Sequence, residues 1–138
     1  MNISLDDFIT LLTGVKVQVT QDNEPQAECV DVIELYSRVL GVPRFTGNAE
    51  DIYNQPGDAF DQIPNEPTNF PSKGDIVVMN SKFNGTVGHV GICTGIADEM
   101  TFEMLEQNDP LGSDCHKKTY AYANGSGEIV VTGWLHKK

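Results

Sequence analysis

The chain has 138 residues, of which 39% are hydrophobic and 21% are charged, and its formal net charge is −11. This length predicts one domain that spans residues 1–138. The acidic balance, without a cluster of Lys and Arg, excludes a basic nucleic-acid-binding face and disfavours an anionic membrane as a partner. No apolar run approaches the ~20 residues that a membrane-spanning helix needs. We therefore expect neither nucleic acid nor membrane among its partners.

The N-terminal stretch "SLDDFITLLTGV" predicts a short amphipathic helix. Ser4 is a good N-cap and Gly14 a good stop signal. The predicted apolar stripe consists of Phe8, Leu11 and Leu12. The first residues carry acids and no basic segment, so they do not predict a secretory signal peptide.

A second helix is predicted from about residue 27 to residue 40, because Gly41 and then Pro43 follow as stop signals. Its predicted apolar positions are Val30, Ile33, Leu35 and Val39. Residues 45–73 form a long polar stretch with four prolines. Within it, "NAEDIYN" and "DAFDQI" predict short helical pieces.

The second half of the chain predicts strands. Five segments have the β-rich composition or alternation of strands: "GDIVVMNS", "GHVGICTGI", "TFEMLEQND", "HKKTYAYA" and "EIVVTGWLHK". The turn sequences "NGT" and "NGSG" separate two pairs of them. Helices that precede a run of strands predict an α+β fold with an antiparallel sheet.

Three cysteines without a CxxC pair argue against a disulfide framework or a zinc finger. A zinc site built from both cysteines of the strand region and two histidines matches no standard spacing. The residues in question are Cys93, Cys115, His89 and His116. We therefore expect no metal and no cofactor.

Cys29 lies where the second helix is predicted to begin. At a helix N-terminus the unpaired N–H groups and the helix dipole stabilise a thiolate, which makes this cysteine a candidate nucleophile. A buried structural cysteine is the alternative interpretation. The polar loop before the helix argues against burial of Cys29 in a core.

A cysteine nucleophile needs a base and an acceptor that orients the base. His89 opens an apolar strand beside glycines, which let a ligand or another backbone come close to the imidazole. Glu106 and Asn108 are two apart on a predicted strand and share a face, whereas Gln107 points to the other. A structural histidine and an exposed polar strand end are the alternatives. Together, the order Cys, His, Glu/Asn is that of papain-like hydrolases.

Six stretches together resemble the CHAP domain (cysteine, histidine-dependent amidohydrolase/peptidase) of bacteriophage endolysins, over roughly residues 26–136. These are "ECVDVIELYSRVLGVP", "GNAEDI", "PTNFPSKGDIVVMNS", "GHVGICTG", "FEMLEQNDPLGSDCH" and "GWLHKK". The resemblance implies a papain-like fold with N-terminal helices packed on an antiparallel sheet. It also implies cleavage of a peptidoglycan amide bond, with Cys29 as nucleophile, His89 as base and Glu106 as the residue that orients it. Asn108 resembles a further polar residue of the site.

The chain departs from the family pattern at three places. Glu28 stands where many members have Gln, and a carboxylate there opposes thiolate formation unless it points away. Asp109 stands where many members have an aromatic residue. A calcium-binding loop of some members is matched only in part, by Asp22, Glu24 and Asp31, so we expect no bound ion.

The resemblance further implies synthesis in the host cytoplasm, since no signal peptide is predicted, and action on the bacterial cell wall. A cell-wall-binding domain is expected to be separate or missing. Amidase and endopeptidase activity use the same residues and stay open. The competing functions are a catalytically inactive wall-peptide-binding module and a tail-associated structural component of a phage.

Overall fold

Helices precede a single sheet along the chain, as predicted. The computed structural model describes residues 3–19, 28–81, 88–122 and 129–138. Within these ranges α1 is Leu5–Leu12, α2 is Cys29–Leu40 and a 3₁₀ helix is Ala49–Asn54. The strands are β1 Phe60–Pro64, β2 Ile76–Ser81, β3 His89–Ala97, β4 Thr101–Glu106, β5 His116–Ala121 and β6 Ile129–Lys137. The predicted turns "NGT" and "NGSG" lie outside the described residues.

The cap of α1 is as predicted, and its buried face is predicted in part. The Ser4 hydroxyl accepts a hydrogen bond from the Asp7 backbone N–H at 3.1 Å, which satisfies a donor of the first turn. Of the predicted stripe, Phe8 is buried and Leu12 packs against the core, whereas Leu11 is 65% exposed. Ile9 is buried in place of Leu11, so the buried face is rotated slightly from the predicted stripe.

Helix α2 begins at Cys29, two residues later than predicted, and ends at Gly41 in the left-handed conformation (φ 72°). The Glu28 backbone N–H donates to the Asp31 carboxylate at 2.8 Å and caps the start. Val32, Ile33 and Tyr36 supply the buried apolar face. Of the predicted apolar positions only Ile33 is fully buried; Val30, Leu35 and Val39 are half-buried.

The polar stretch 45–73 contains one of the two predicted helical pieces. "NAEDIYN" forms the 3₁₀ helix, but "DAFDQI" is wrong as a helix because it contributes strand β1. Strand β1 pairs antiparallel with the C-terminal strand, from Phe60 opposite Lys137 to Pro64 opposite Gly133. Pairing with a strand about 70 residues away outweighs a weak local preference.

The sheet is antiparallel throughout, in the order β1-β6-β2-β3-β4-β5. Alternate residues of β2 pack on opposite faces, so Ile76 and Val78 join α1, α2 and the 3₁₀ helix in one core. Val77 and Met79 join a second core, where Trp134 packs among other aromatic residues. In the part of the chain that the structure describes, no helix is both long and apolar enough to cross a bilayer.

Gly133 is placed where any side chain would collide. A Cβ atom there would lie 2.3 Å from the Ile63 carbonyl oxygen and 2.7 Å from the Tyr53 ring. Gly133→Ala is expected to lower the free energy of unfolding by about 1–3 kcal/mol, because neither neighbour can move freely. Urea unfolding measures this difference. Lys137→Ala, exposed on the same strand, is the control, and an equal loss in both variants would contradict the steric explanation.

Candidate active site

His89 and Glu106 meet where β3 begins and β4 ends. The antiparallel register, with Ile92 opposite Leu105, brings the start of β3 and the end of β4 to the same end of the sheet. The His89 Nε2 atom lies 3.3 Å from the Glu106 Oε1 atom, and both side chains are almost fully buried. The ring N–H is not well aligned with this oxygen, so the contact is electrostatic more than a directed hydrogen bond. Catalytic hydrogen bonds are often misaligned without substrate.

Gly88 lets two other segments pack closely against the residue before His89. Its backbone has a φ of 80°, and a Cβ atom there would lie 2.4 Å from the Met79 carbonyl oxygen and 2.8 Å from the Glu50 Cβ atom. Strand β2 and the 3₁₀ helix therefore lie directly against the start of β3. The approach of a ligand or another backbone to the imidazole itself stays a prediction.

Cys29 is the first residue of α2 and interacts with the His89 ring. Cys29 is only 7% exposed and belongs to the hydrophobic core to which α1 and the rest of α2 contribute. The expectation that it lies outside a core was wrong, because the helix start is covered by neighbouring segments.

Two opposing effects set the pKa of His89. Burial of the ring is the largest effect and by itself favours the neutral form. The interactions of the ring with Cys29 and with the Glu106 carboxylate together outweigh burial and raise the pKa of His89 to about 10. The imidazolium form therefore persists at neutral pH, where it can stabilise a neighbouring thiolate.

Gln107 is a structural residue that the sequence reasoning set aside. It is fully buried, and its Oε1 atom accepts from the Val17 N–H at 2.6 Å. Its Nε2 group donates to the Val17 carbonyl at 2.7 Å and to the Glu28 carbonyl at 2.9 Å. One amide thus ties the end of β4 to the residue before Cys29. The sequence signal that could have identified Gln107 was its position between two candidate site residues, Glu106 and Asn108.

Asn108 lies beyond the end of β4, so the argument that it shares a strand face with Glu106 does not hold. Its φ of 69° is left-handed, and its Oδ1 atom accepts from the Gly112 N–H at 2.6 Å. Its backbone N–H donates to the Ser113 carbonyl. These two contacts of Asn108 organise the turn that follows β4, and its part in the chemistry stays a prediction.

The other two cysteines, Cys93 and Cys115, are buried and have raised thiol pKa values. Both are fully inaccessible, and burial is the main reason that the pKa rises to about 11 for Cys93 and to about 12 for Cys115. They also pack in different cores on opposite faces of the sheet. The structure therefore does not assemble the zinc constellation that would need both.

Three polar side chains that the sequence reasoning did not select surround Glu106. The Tyr120 hydroxyl donates to Glu106 Oε1 or to Asp109 Oδ2, which lies 2.8 Å away. Burial first, and then the two carboxylates, raise the pKa of Tyr120 above its usual value. The His116 Nε2 atom lies 3.0 Å from Glu106 Oε2. Cross-strand pairing of Glu106 with His116 was the signal, but it requires a register that the sequence alone does not supply.

Among the described residues, His89, Glu106 and Asp109 have ligand atoms within 4.8 Å of one another. Tyr120 and the Lys118 ammonium, 3.4 Å from Asp109, already contact these carboxylates and compete with a cation. A role for these residues in acid–base chemistry stays a prediction. The partial calcium match at Asp22 and Glu24 lies outside the described residues, and Asp31 is buried at the helix cap.

Comparison with known proteins gives one consistent result. A family model described as the CHAP domain matches residues 19–108. Endolysin LysK of Staphylococcus phage K is 36% identical over 93 residues, which are 65% of this chain and 19% of LysK. The structure of endolysin LysIME-EF1 has a TM-score of 0.75 at 23% identity and covers 99% of this chain. Ly7917 has a TM-score of 0.67 at 18% identity and covers 98% of it.

These structural likenesses confirm the α+β, papain-like fold with helices packed on an antiparallel sheet. The chain spans 19% of the length of LysK, 65% of LysIME-EF1 and 63% of Ly7917. It therefore corresponds to one part of each of these longer proteins.

Cys29 should be the one thiol of the three that alkylates readily at neutral pH. Its interaction with the His89 ring places a base beside the sulfur, whereas Cys93 and Cys115 are inaccessible and burial raises the pKa of both thiols. Iodoacetamide labelling followed by peptide mass spectrometry should show Cys29 reacting at least ~10-fold faster, and His89→Ala should remove this advantage. Equal labelling of all three cysteines would contradict the expectation that Cys29 is the reactive thiol.

Gln107→Ala should destabilise the fold, because the Val17 N–H, the Val17 carbonyl and the Glu28 carbonyl each lose a partner. We expect a loss of about 2–4 kcal/mol in the free energy of unfolding, measured in urea. Gln62→Ala removes an exposed amide with a comparable carbonyl contact and is the matched control. A similar small effect in both variants would show that Gln107 is not a clamp.

Proposed function

The chain belongs to the CHAP domain family, and from this premise we propose that it hydrolyses an amide bond of bacterial peptidoglycan with Cys29 as nucleophile. The observation that carries the proposal is the contact of His89 with both Cys29 and the buried Glu106. It supplies a nucleophile, a base and an acceptor in one place. We propose that Cys29 is the nucleophile, His89 the base and Glu106 the acceptor that orients the base, and this assignment rests on their geometry.

The first half of the proposed reaction forms a thioester. The Cys29 proton resides on His89, and the thiolate attacks the carbonyl carbon of the scissile amide. The Cys29 backbone N–H belongs to the first turn of α2, where helix geometry provides no acceptor, so it can donate to the oxyanion. His89 then gives its proton to the leaving nitrogen, the C–N bond breaks, and an amine departs.

The second half restores the thiol. His89, now neutral, accepts a proton from water while the water oxygen attacks the thioester carbonyl. The C–S bond breaks, a carboxylic acid is released, and the proton returns to the Cys29–His89 pair. Glu106 stays ionised beside the ring in both halves and stabilises the imidazolium. We propose that Asn108 contributes as a further polar residue by shaping the turn beside Glu106.

The proposed partner is peptidoglycan, and the proposed place of action is the cell wall. The net charge of −11 opposes binding to anionic wall polymers. We therefore propose that residues 1–138 act as one catalytic domain that a separate wall-binding domain brings to its substrate. Synthesis in the host cytoplasm is part of the same proposal.

Cys29→Ser should abolish release of fragments from purified Gram-positive peptidoglycan, with a loss of at least ~10³-fold in rate, because a hydroxyl does not replace the thiolate. Liquid chromatography with mass spectrometry measures the fragments. New N-terminal alanine indicates amidase activity, whereas new peptide termini within the stem or bridge indicate endopeptidase activity.

The matched control for this experiment is Cys93→Ser, the same exchange at a buried position away from His89. A serine hydroxyl there can donate to the Pro71 carbonyl, which the Cys93 sulfur contacts at 3.8 Å. This variant should keep most of its activity. If Cys29→Ser still releases fragments, the nucleophile is wrong. Binding of peptidoglycan without any fragment release by the unsubstituted chain would instead support a wall-peptide-binding module.

A further inference from the structure

Glu106 has a second imidazole partner that the proposed reaction does not use. Glu106 and His116 are direct partners across the antiparallel pair of β4 and β5, and such side chains point to the same face. The His116 Nε2 atom lies 3.0 Å from Glu106 Oε2. Glu106 is fully buried, whereas the His116 side chain is 31% exposed. The pair therefore connects the interior of the site to its surface.

The hydrogen bonds of His116 fix the tautomer of its ring. Its Nδ1 atom lies 2.7 Å from the Asp114 carbonyl oxygen, and because a carbonyl only accepts, Nδ1 must carry a proton. In a neutral ring the Nε2 atom would then present a lone pair to the Glu106 carboxylate. This lone pair and an ionised carboxylate would repel each other at 3.0 Å, whereas an imidazolium and a carboxylate attract at this distance. The contacts of both ring nitrogens therefore suit an imidazolium beside a carboxylate.

The two oxygens of Glu106 have different partners. Oε1 contacts His89 and the Tyr120 hydroxyl, whereas Oε2 is close to His116. The His116 contact is not an aligned hydrogen bond, and a charge pair does not require such alignment. A fully buried carboxylate needs this compensation, because desolvation otherwise favours its protonated form.

We propose that His116 is a positioning residue for the reaction: its imidazolium neutralises Glu106 through Oε2 and keeps Oε1 ionised and directed at His89. The proposal rests on the proposed function, since it concerns the same site. It adds a residue whose positive charge acts on Cys29 and His89 only through Glu106. The residue lies outside the order Cys, His, Glu/Asn from which the site was assembled.

Other charged and titratable groups near this pair come from every neighbouring element. Strand β3 contributes His89, the turn after β4 contributes Asp109, and the turn before β5 contributes Asp114, whose side chain pairs with Lys16 at 3.8 Å. The remaining groups on or beside β5 are Cys115, Lys118 and Tyr120. Of these groups, Lys118 is engaged by Asp109 at 3.4 Å, and Tyr120 donates towards Oε1 rather than Oε2.

The test is the pH dependence of Cys29 alkylation by iodoacetamide in His116→Gln. Glutamine offers an N–H donor without the charge. Removing a positive charge makes neighbouring groups easier to protonate, so the acid limb of the alkylation profile should move upward by roughly 0.5–1 pH unit. The acid limb of peptidoglycan hydrolysis should move in the same direction. Circular dichroism checks that the variant is folded.

The matched control is Lys117→Gln, which removes the same charge one residue away. Lys117 is exposed and lies on the opposite face of β5, so solvent screens it and its profile should coincide with that of the unsubstituted chain. A shift in His116→Gln alone supports the proposal. An unchanged profile in His116→Gln, or equal shifts in both variants, overturns it.

A measurement on the unsubstituted chain decides the matter if His116→Gln does not fold. The ¹⁵N shifts of the His116 ring at neutral pH should be those of an imidazolium, and a neutral ring would overturn the proposal. Alkylation and ring shifts need no substrate, so they separate this proposal from the proposed function. The latter fails instead if Cys29→Ser still releases peptidoglycan fragments.

Discussion

The site depends on one buried carboxylate. Glu106 has no exposed surface, and an ionised carboxylate in such a place is strongly destabilised unless charges or donors surround it. Its three partners come from the two strands that flank β4: His89 from β3, and His116 and Tyr120 from β5. This need for compensation explains why His89, His116 and Tyr120 surround the end of β4. Through Glu106, His116 and Tyr120 can influence the charge of His89.

The second requirement is that the start of α2 be held against this carboxylate. Gln107, the next residue after Glu106, does so by binding the Glu28 carbonyl and both polar groups of Val17. Adjacent residues thus serve separate purposes, because successive side chains leave a strand end in different directions. One side chain contacts the imidazole, and the other fixes the helix whose first residue is Cys29. A shift of β4 would therefore displace base and nucleophile together.

Much of the architecture could be predicted from local sequence, because caps, stop signals and β-rich runs act within a few residues. Ser4, Gly41 and the strand that begins at His89 are examples. What failed depended on distant partners. "DAFDQI" has no strand signal strong enough to announce its pairing with β6, and the buried face of α1 is set by what packs against Phe8 and Ile9. The approach of His116 to Glu106 follows from the β4–β5 register, which neither strand encodes alone.

The departures from the family pattern can be understood through the same carboxylate. Where an aromatic residue is usual, Asp109 instead contacts Tyr120 at 2.8 Å and Lys118 at 3.4 Å. The Lys118 ammonium also lies 5.2 Å from the centre of the Tyr120 ring, so the added negative charge is offset locally. Tyr120 has one proton for two carboxylates, so the Lys118 ammonium beside Asp109 and the His116 imidazole beside Glu106 supply further polar partners for this cluster. The acid at position 109 thus has a cation on its own side of Tyr120, and Glu106 has a separate partner at its other oxygen.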